Sequence, residues 1–232
     1  MRFRSQVLGT CVLVSLFLVF WLFALPSVSK GFELSKSPEA IERGAYLVTA
    51  GGCISCHRGE ENPELLSGGF GLETDFGVFY APNITPDTET GIGNWQAKDF
   101  LLALKYGRSP SGSFYYPAFP YRAYAGLTDQ DAVDIGSYLM SLEPVSFSAS
   151  DAQTPAWLMR WTIAGWNALA DLTQAQVDDE FDNDLIARGA YLARSLGHCG
   201  ECHTPRSSLG TPDTSREFAG AELGEENVES ID

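Results

Sequence analysis

Basic residues are scarce in this chain. Only 15 of its 232 residues are Lys or Arg, against 30 Asp or Glu, and the formal charge is -15 at pH 7. A protein this acidic is repelled by phosphate backbones, which excludes nucleic acid as a partner. Charged residues make up 19% and hydrophobic residues 44% of the chain, a balance that excludes a disordered acidic chain or a fibrous protein. The length allows one or two globular units.

Charge is absent from one long stretch near the start. No charged residue lies between Arg4 and Lys30, and residues 7–25 are almost continuously apolar. About 20 such residues in a helix cross a bilayer, and Arg2 and Arg4 favour a cytoplasmic start. The pattern predicts that residues 1–30 form a transmembrane anchor and that the rest lies across the membrane. A cleaved secretory signal, with small residues at 27–29, is the alternative.

Cysteine and histidine are also rare, with five and three residues, yet most of them form one pattern twice. The segments Cys53–His57 and Cys199–His203 both read C-x-x-C-H. Two thiols on one helical turn can form thioethers with the vinyl groups of one haem, and the next histidine can bind its iron. The sequence therefore predicts two covalently attached haem c groups, held by Cys53, Cys56, Cys199 and Cys202, with His57 and His203 as iron ligands.

Three other structures could use these cysteines: disulfides, a four-thiolate zinc site, or a thioredoxin-like redox pair. A zinc site would join pairs that are about 145 residues apart, whereas structural zinc ligands usually lie within a few tens of residues. A redox pair needs a βαβ pattern, which the sequence does not show. Haem attachment is the reading that the spacing favours.

A longer repeat surrounds the two motifs. The segment Arg43–Leu47 recurs 145 residues later as Arg188–Leu192, which indicates two homologous domains. We predict a first domain at 38–146, a connector rich in Trp and acidic residues at 147–183, and a second domain at 184–232. From its repeated Arg the first unit runs for 100 residues and the second for 45. We therefore expect the second domain to be incomplete here and the gene to continue.

Helical signals dominate the first unit and predict an all-α fold. Ser37 and Pro38 begin one helix, whose apolar stripe is expected at Ile41, Gly44, Ala45 and Val48. A second helix is predicted from Asn94 to Gly107, and a third from Thr128 to Leu142. Gly44 is expected to let the third helix cross the first closely. The Trp-rich segment 156–171 is expected to cover the interface between the domains.

Four loop segments of the chain indicate a particular family. The segments 83–87, 91–95, 116–121 and 197–206 resemble those of the cytochrome c subunits of bacterial membrane-bound dehydrogenases, the alcohol dehydrogenase cytochrome c subunit family. The resemblance covers about residues 38–232. It implies tandem class I cytochrome c domains, with the same four cysteines as thioether sites and the same two histidines as proximal ligands.

The resemblance also implies a function. We expect a dihaem cytochrome c of the bacterial inner membrane, with its haem domains on the periplasmic side. It would pass electrons from a dehydrogenase partner towards a respiratory oxidase or a soluble cytochrome, without catalytic activity of its own. The alternatives are a haem enzyme, such as a thiosulfate dehydrogenase or peroxidase, and a cytochrome c subunit of a terminal oxidase.

Methionine is the residue whose scarcity departs from the family pattern. Family members often carry a distal Met ligand in a Pro-Ala-Met-Pro-Tyr loop, where this chain has Phe119, and the second domain has no Met. Met140 and Met159 are the remaining candidates, and Met140 is expected to pack within its helix. An open distal site is a further alternative, and the polar candidates are Lys105, Tyr115, Tyr116 and Tyr121.

Overall fold

The computed structural model describes residues 23–59, 62–63, 65–173, 181 and 183–221. Its helices are α1 (Pro38–Ala50), α2 (Cys53–His57), α3 (Ala97–Tyr106), α4 (Tyr121–Tyr124), α5 (Asp129–Leu139), α6 (Thr162–Thr173), α7 (Asp184–Ala190) and α8 (Gly200–His203). A π-helical segment, Tyr191–Leu196, continues α7, and a short 3-10 helix covers Thr214–Arg216. The strands are β1 (Gly71–Thr74) and β2 (Gly77–Tyr80).

The three predicted helices of the first unit are present, with shifted ends. The Ser37 hydroxyl caps α1 by accepting a hydrogen bond from the Ala40 amide at 3.2 Å. Helix α3 is capped by Gln96 rather than Asn94, and it ends at Gly107, whose φ of 59° suits glycine. Thr128 caps α5 as predicted, but α5 ends at Leu139, three residues before Leu142.

Helices α1 and α5 cross at Gly44. A Cβ at this position would lie 2.1 Å from the Asp134 carbonyl oxygen and 2.7 Å from the Cβ of Tyr138. The prediction that Gly44 allows a close crossing is therefore confirmed. The buried face of α1 consists of Ala40, Gly44, Leu47 and Val48, so two positions of the predicted stripe are fully buried and the other two, Ile41 and Ala45, are half-buried.

An ion pair between a buried carboxylate and a half-exposed arginine lies beside this crossing. The Asp134 side chain is fully buried in α5, forms a salt bridge with Arg43 of α1, and accepts a hydrogen bond from Gln130 Nε2 at 2.9 Å. Because a buried carboxylate needs partners for its charge, these contacts make the crossing specific as well as close.

The prediction of an all-α fold is wrong, because β1 and β2 form an antiparallel hairpin. Gly71 pairs with Tyr80 and Thr74 with Gly77, whose φ of 112° closes the tight turn. The connector extends this sheet, since the Val78 amide donates to Gln153 at 3.0 Å and the Gln153 amide donates back to Val78 at 2.8 Å. A two-stranded hairpin is marginal alone, so it depends on a contact that the local sequence does not reveal.

The prediction of an N-terminal transmembrane helix at residues 1–30 is also wrong for residues 23–30, the part of it that the structure describes. Within residues 23–59, 62–63, 65–173, 181 and 183–221, no helix is long and apolar enough to cross a membrane. Residues 24–37 are not helical, and Pro26 disfavours helix in the residue before it. Residues 1–22 of the predicted anchor lie outside the described residues.

The connector contacts both predicted domains. In α6, Ile163 and Ala164 are buried against Phe114 of the first unit. The indole of Trp166, also in α6, donates to the Leu209 carbonyl of the second unit at 2.8 Å. This arrangement agrees with the expected role at the interface, although Trp157 and Trp161 are exposed. The domain boundaries themselves stay predictions, and residues 174–180, 182 and 222–232 lie outside the described part.

We predict that Gly44→Ala lowers the free energy of unfolding by about 1–3 kcal/mol, because its methyl group would overlap the α5 backbone. Gly189 is the matched control, since it is the repeat equivalent of Gly44 and its Cβ would meet no atom within 4 Å. Gly189→Ala should raise the same quantity by up to about 1 kcal/mol through helix propensity. Denaturant titration followed by circular dichroism measures both. Equal effects of the two substitutions would contradict the role assigned to the crossing.

Candidate functional site

The first C-x-x-C-H motif forms a short helix immediately after α1. Gly52, with φ 63°, turns the chain sharply between α1 and α2. Cys53 and Cys56 then lie one helical turn apart as free, half-buried thiols. Burial raises the pKa of Cys53 to about 12 and also raises that of Cys56. Two thiols on one turn are the arrangement that thioether attachment to a haem requires.

His57 is held by one of its ring nitrogens. Its Nδ1 lies 2.8 Å from the Pro82 carbonyl oxygen, which can only accept, so Nδ1 carries the proton. Burial lowers the pKa of His57 and favours the neutral ring, while the hydrogen bond to Pro82 opposes that shift. The remaining nitrogen, Nε2, is then free to bind a metal. Metal-binding histidines usually donate their other N–H in this manner, so the first motif fits haem c.

The carbonyl that holds His57 is positioned by a buried asparagine. Asn83 Nδ2 donates to the Val145 carbonyl at 2.6 Å, and Asn83 Oδ1 accepts from the Thr85 amide at 2.9 Å. This network fixes the 83–87 loop against the segment that follows α5. The sequence motif pointed to the family, but it did not reveal that the residue before Asn83 contacts the histidine.

The second C-x-x-C-H motif has the same local form with less cover. Cys199 precedes α8, and Cys202 and His203 lie within it, and all three are exposed. Thr204, which is buried, accepts a hydrogen bond from the Phe218 amide at 3.0 Å, and the Gly220 amide donates to the His203 carbonyl at 2.8 Å. The order of thiols and imidazole on one turn therefore also fits haem c.

The segments that lead into the two motifs lie against each other. A Cβ on Gly51, just before the first motif, would be 3.4 Å from Leu196 Cδ1, just before the second. Burial raises the pKa of Cys56 most, and Arg58 lowers it. Cys202 of the second motif is the third cause and raises this pKa, so the two motifs are close enough to interact electrostatically. Sequence analysis predicted both sites but not their proximity.

The alternative uses of the cysteines are not realised in the described structure. All four motif cysteines are free thiols, so neither motif contains a disulfide. Among residues 23–59, 62–63, 65–173, 181 and 183–221, no three His, Cys, Asp or Glu side chains are grouped as metal ligands. The four cysteines therefore do not converge on a zinc site.

The candidate distal ligands have different surroundings. Met140 packs against the main core, and the exposed Met159 accepts a hydrogen bond from Trp161 Nε1 at 3.1 Å. Lys105 donates to the Leu127 carbonyl at 2.7 Å and to Asp129. The hydroxyls of Tyr116 and Tyr121 donate to Leu158 at 3.0 Å and to Asn167 at 2.7 Å.

Tyr115 is the remaining polar candidate. Its hydroxyl makes no hydrogen bond with a residue that the structure describes, and its ring stands edge-on to Phe119 at 5.8 Å. Burial raises the pKa of Tyr115 to about 12, so its hydroxyl stays protonated. The positions of these side chains therefore do not identify the distal ligand. Phe119 itself has no atom that can bind iron.

A helical core with a C-x-x-C-H helix after its first long helix, and a carbonyl acceptor for the histidine, defines a c-type cytochrome domain. The cytochrome c family matches residues 41–143 of the chain. This range contains the first motif, the α1–α5 crossing and the 83–87 loop.

Three relatives are similar over most of the chain. A diheme cytochrome c-type protein of Cereibacter sphaeroides is 44% identical over 77% of this chain and 62% of its own length. The fructose dehydrogenase cytochrome subunit of Gluconobacter japonicus is 38% identical over 80% of this chain and 39% of its own. The alcohol dehydrogenase (quinone) cytochrome c subunit of Gluconobacter oxydans is 39% identical over 72% of this chain and 35% of its own length.

These similarities identify the chain as a dihaem cytochrome c of the family that includes the alcohol dehydrogenase cytochrome c subunits. Its cofactors are two covalently bound haem c groups. The chain spans only part of each relative, from 35% to 62% of the three lengths. The individual thioether and iron ligands stay predictions that follow from the motif geometry.

We predict that replacing Cys53 and Cys56 by Ser halves the covalently bound haem, from two groups per chain to one. The double replacement of Cys199 and Cys202 should do the same. Haem content of the denatured protein, measured by its reduced pyridine complex, checks the ratio. Cys11→Ser is the control and should leave two haems, because Cys11 lies outside both motifs. A double variant that keeps two haems would contradict the assignment.

We predict that neither Met140→Leu nor Met159→Leu removes a methionine-to-iron band from the ferric spectrum, because both side chains have other contacts. Phe119→Met should instead create such a band and raise the potential of one haem, since a thioether ligand favours the reduced iron. Optical spectra and redox titration measure both effects. A wild-type band that disappears in Met140→Leu would show that Met140 is the ligand.

Proposed function

We propose that the protein accepts single electrons from a dehydrogenase partner and passes them towards a respiratory oxidase or a soluble cytochrome. The observation that carries this proposal is the presence of two C-x-x-C-H motifs in one chain, with the segments just before them packed together. Among the relatives are the cytochrome subunits of a fructose dehydrogenase, a gluconate 2-dehydrogenase and an alcohol dehydrogenase. Haem iron supplies the reversible one-electron change.

The chain's own residues hold and orient the two sites. The paired cysteines of each motif fix the position of the haem site that they form. The Pro82 carbonyl orients His57 with its Nε2 free. The buried Asn83 network keeps that carbonyl in place. These roles need no acid, base or nucleophile, so we propose an electron carrier without a substrate reaction of its own.

The charge of the chain favours a partner with a basic docking surface. Residues 31–232 carry 12 basic and 30 acidic residues, a formal charge of -18. Opposite charge accelerates encounter between proteins, and salt screens it, with a Debye length of about 10 Å at 0.1 M. Association with the electron donor or acceptor should therefore slow as ionic strength rises.

We place this activity on the periplasmic side of the bacterial inner membrane. The support is the sequence itself, in which Arg2 and Arg4 precede an uncharged stretch of 25 residues, a pattern of exported chains. Sequencing the amino terminus of the mature protein and fractionating cells test this location. Recovery of the haem protein from the cytoplasm would contradict it.

We predict that the dihaem protein is reduced by a sugar or alcohol only when a dehydrogenase of the relatives' kind is also present. The initial rate should fall as salt is added, because the acidic surface guides the encounter. Stopped-flow absorbance of the reduced haem measures it. Reduction by dithionite, an electron donor that needs no protein docking, controls for changes in the haem itself.

The opposite outcome identifies the alternative. Sustained turnover of thiosulfate or hydrogen peroxide by the purified protein alone would replace the carrier proposal by that of a haem enzyme. Co-purification with oxidase subunits and not with a dehydrogenase would favour an oxidase subunit. Isolation of the protein with its native partners decides between these two and the proposed carrier.

A further inference from the structure

A row of four rings links the first unit to the second motif. The centroids of neighbouring rings are 5.8 Å apart for Tyr115 and Phe119, 5.6 Å for Phe119 and Tyr124, and 5.5 Å for Tyr124 and His198. Phe119 lies in the loop before α4, Tyr124 ends α4, and His198 immediately precedes Cys199. The row therefore ends directly at the second C-x-x-C-H motif.

Tyr124 contacts a residue just before each motif. It is 6% exposed, and its hydroxyl donates to the Gly51 carbonyl at 3.3 Å, two residues before Cys53. Its ring meets the His198 imidazole edge-on, at an interplanar angle of 86°. The Tyr124 ring also lies in the main core of the first unit with Leu47 and Val48, so the ring joins the first unit to the residue before the second motif.

The backbone of His198 is held in an unusual conformation. Its φ of 40° lies in the left-handed region, which few non-glycine residues adopt. Backbone hydrogen bonds hold the residues around it, from Gly197 to Leu192 at 2.7 Å and from Cys199 to Ala193 at 2.9 Å. Such a conformation persists where the surroundings enforce it, and here it accompanies the contact between His198 and Tyr124.

The surrounding interface is tight. A Cβ on Gly126 would lie 2.2 Å from Ser195 Oγ, so a side chain at this position would force Ser195 to move. Leu196 is 1% exposed within the core of the first unit, and the Tyr191 hydroxyl bonds to Asp131 of α5. The second motif is therefore anchored to the first unit at several points around the Tyr124 contact.

We propose that the Tyr124–His198 contact is a positioning contact, which fixes the second haem-binding motif relative to the first and so sets the geometry of electron transfer between the haems. This inference rests on the proposed electron-transfer function. In the step it serves, one haem iron loses one electron and the other gains it. Tyr124 and His198 are chemically unchanged, and no proton moves.

The test uses the dihaem protein and four single variants. Tyr124→Leu removes the ring on one side, and His198→Asn removes it on the other while keeping a residue type that tolerates positive φ. Tyr124→Phe is the matched control, because it keeps the ring and loses only the hydroxyl. Phe79→Leu is the remote control, because it removes a ring that contacts Tyr116 at 5.1 Å in the first unit.

Two measurements are made on each protein. Flash photoreduction gives the rate of electron exchange between the haems, and circular dichroism in the Soret band reports the orientation of one haem relative to the other. Haem content and the rate of reduction by a small external donor show whether each site is intact. His198→Asn keeps the test decisive if Tyr124→Leu does not fold, because His198 is only half-buried.

We expect His198→Asn and Tyr124→Leu to slow the exchange by about tenfold and to change the Soret signal, while Tyr124→Phe and Phe79→Leu do neither. Unchanged exchange in His198→Asn, or slower exchange without a changed Soret signal, would overturn the positioning role. An equal loss in Tyr124→Phe would also overturn it, by assigning the effect to the hydroxyl. If the wild-type protein shows no exchange at all, the carrier function fails, and the Soret comparison still tests the contact.

Discussion

The close crossing of α1 and α5 is the constraint on which the rest of the structure depends. It requires a residue without a side chain at Gly44, and the buried Asp134 carboxylate beside it requires Arg43 and Gln130 as partners. Helix α1 leads directly into Gly51 and Gly52 and then into the first motif, so its direction sets the position of that motif. The same crossing buries Leu47 and Val48, which share one hydrophobic core with Leu196.

The site at His57 shows how a loop motif acts through the backbone. None of the residues 83–87 has a group that the haem chemistry requires, yet Asn83 and Thr85 are buried and bonded to the segment after α5. Their effect is to place the Pro82 carbonyl 2.8 Å from His57 Nδ1. A ring held at one nitrogen has a defined orientation, and its other nitrogen can then bind iron.

Among the described residues, the second motif has partners both in the first unit and in its own unit. Its thiols are exposed, and its helix is covered from its own side by residues such as Phe218. The more extensive packing comes from Leu196, Tyr191 and His198, each of which contacts residues of the first unit. Two similar sequences therefore occupy different environments, which is a physical basis for different haem properties at the two sites.

The sequence by itself determined the chemistry of the protein. The two C-x-x-C-H segments predict covalent haem because thioether attachment needs two thiols on one turn, and helix caps such as Ser37 and Thr128 act over three residues. The close crossing at Gly44 was also predictable, because a glycine within an apolar helix face needs a packing reason.

Tertiary structure alone decided the features that join residues distant in sequence. The β1–β2 hairpin depends on Gln153, the orientation of His57 depends on Pro82, and the contact between the motifs depends on Tyr124 and His198, which are 74 residues apart. Local patterns carry no signal for such pairs, because each partner has an ordinary local role as a turn, loop or helix residue. The free energy that selects them arises only when the helices pack and bring the partners together.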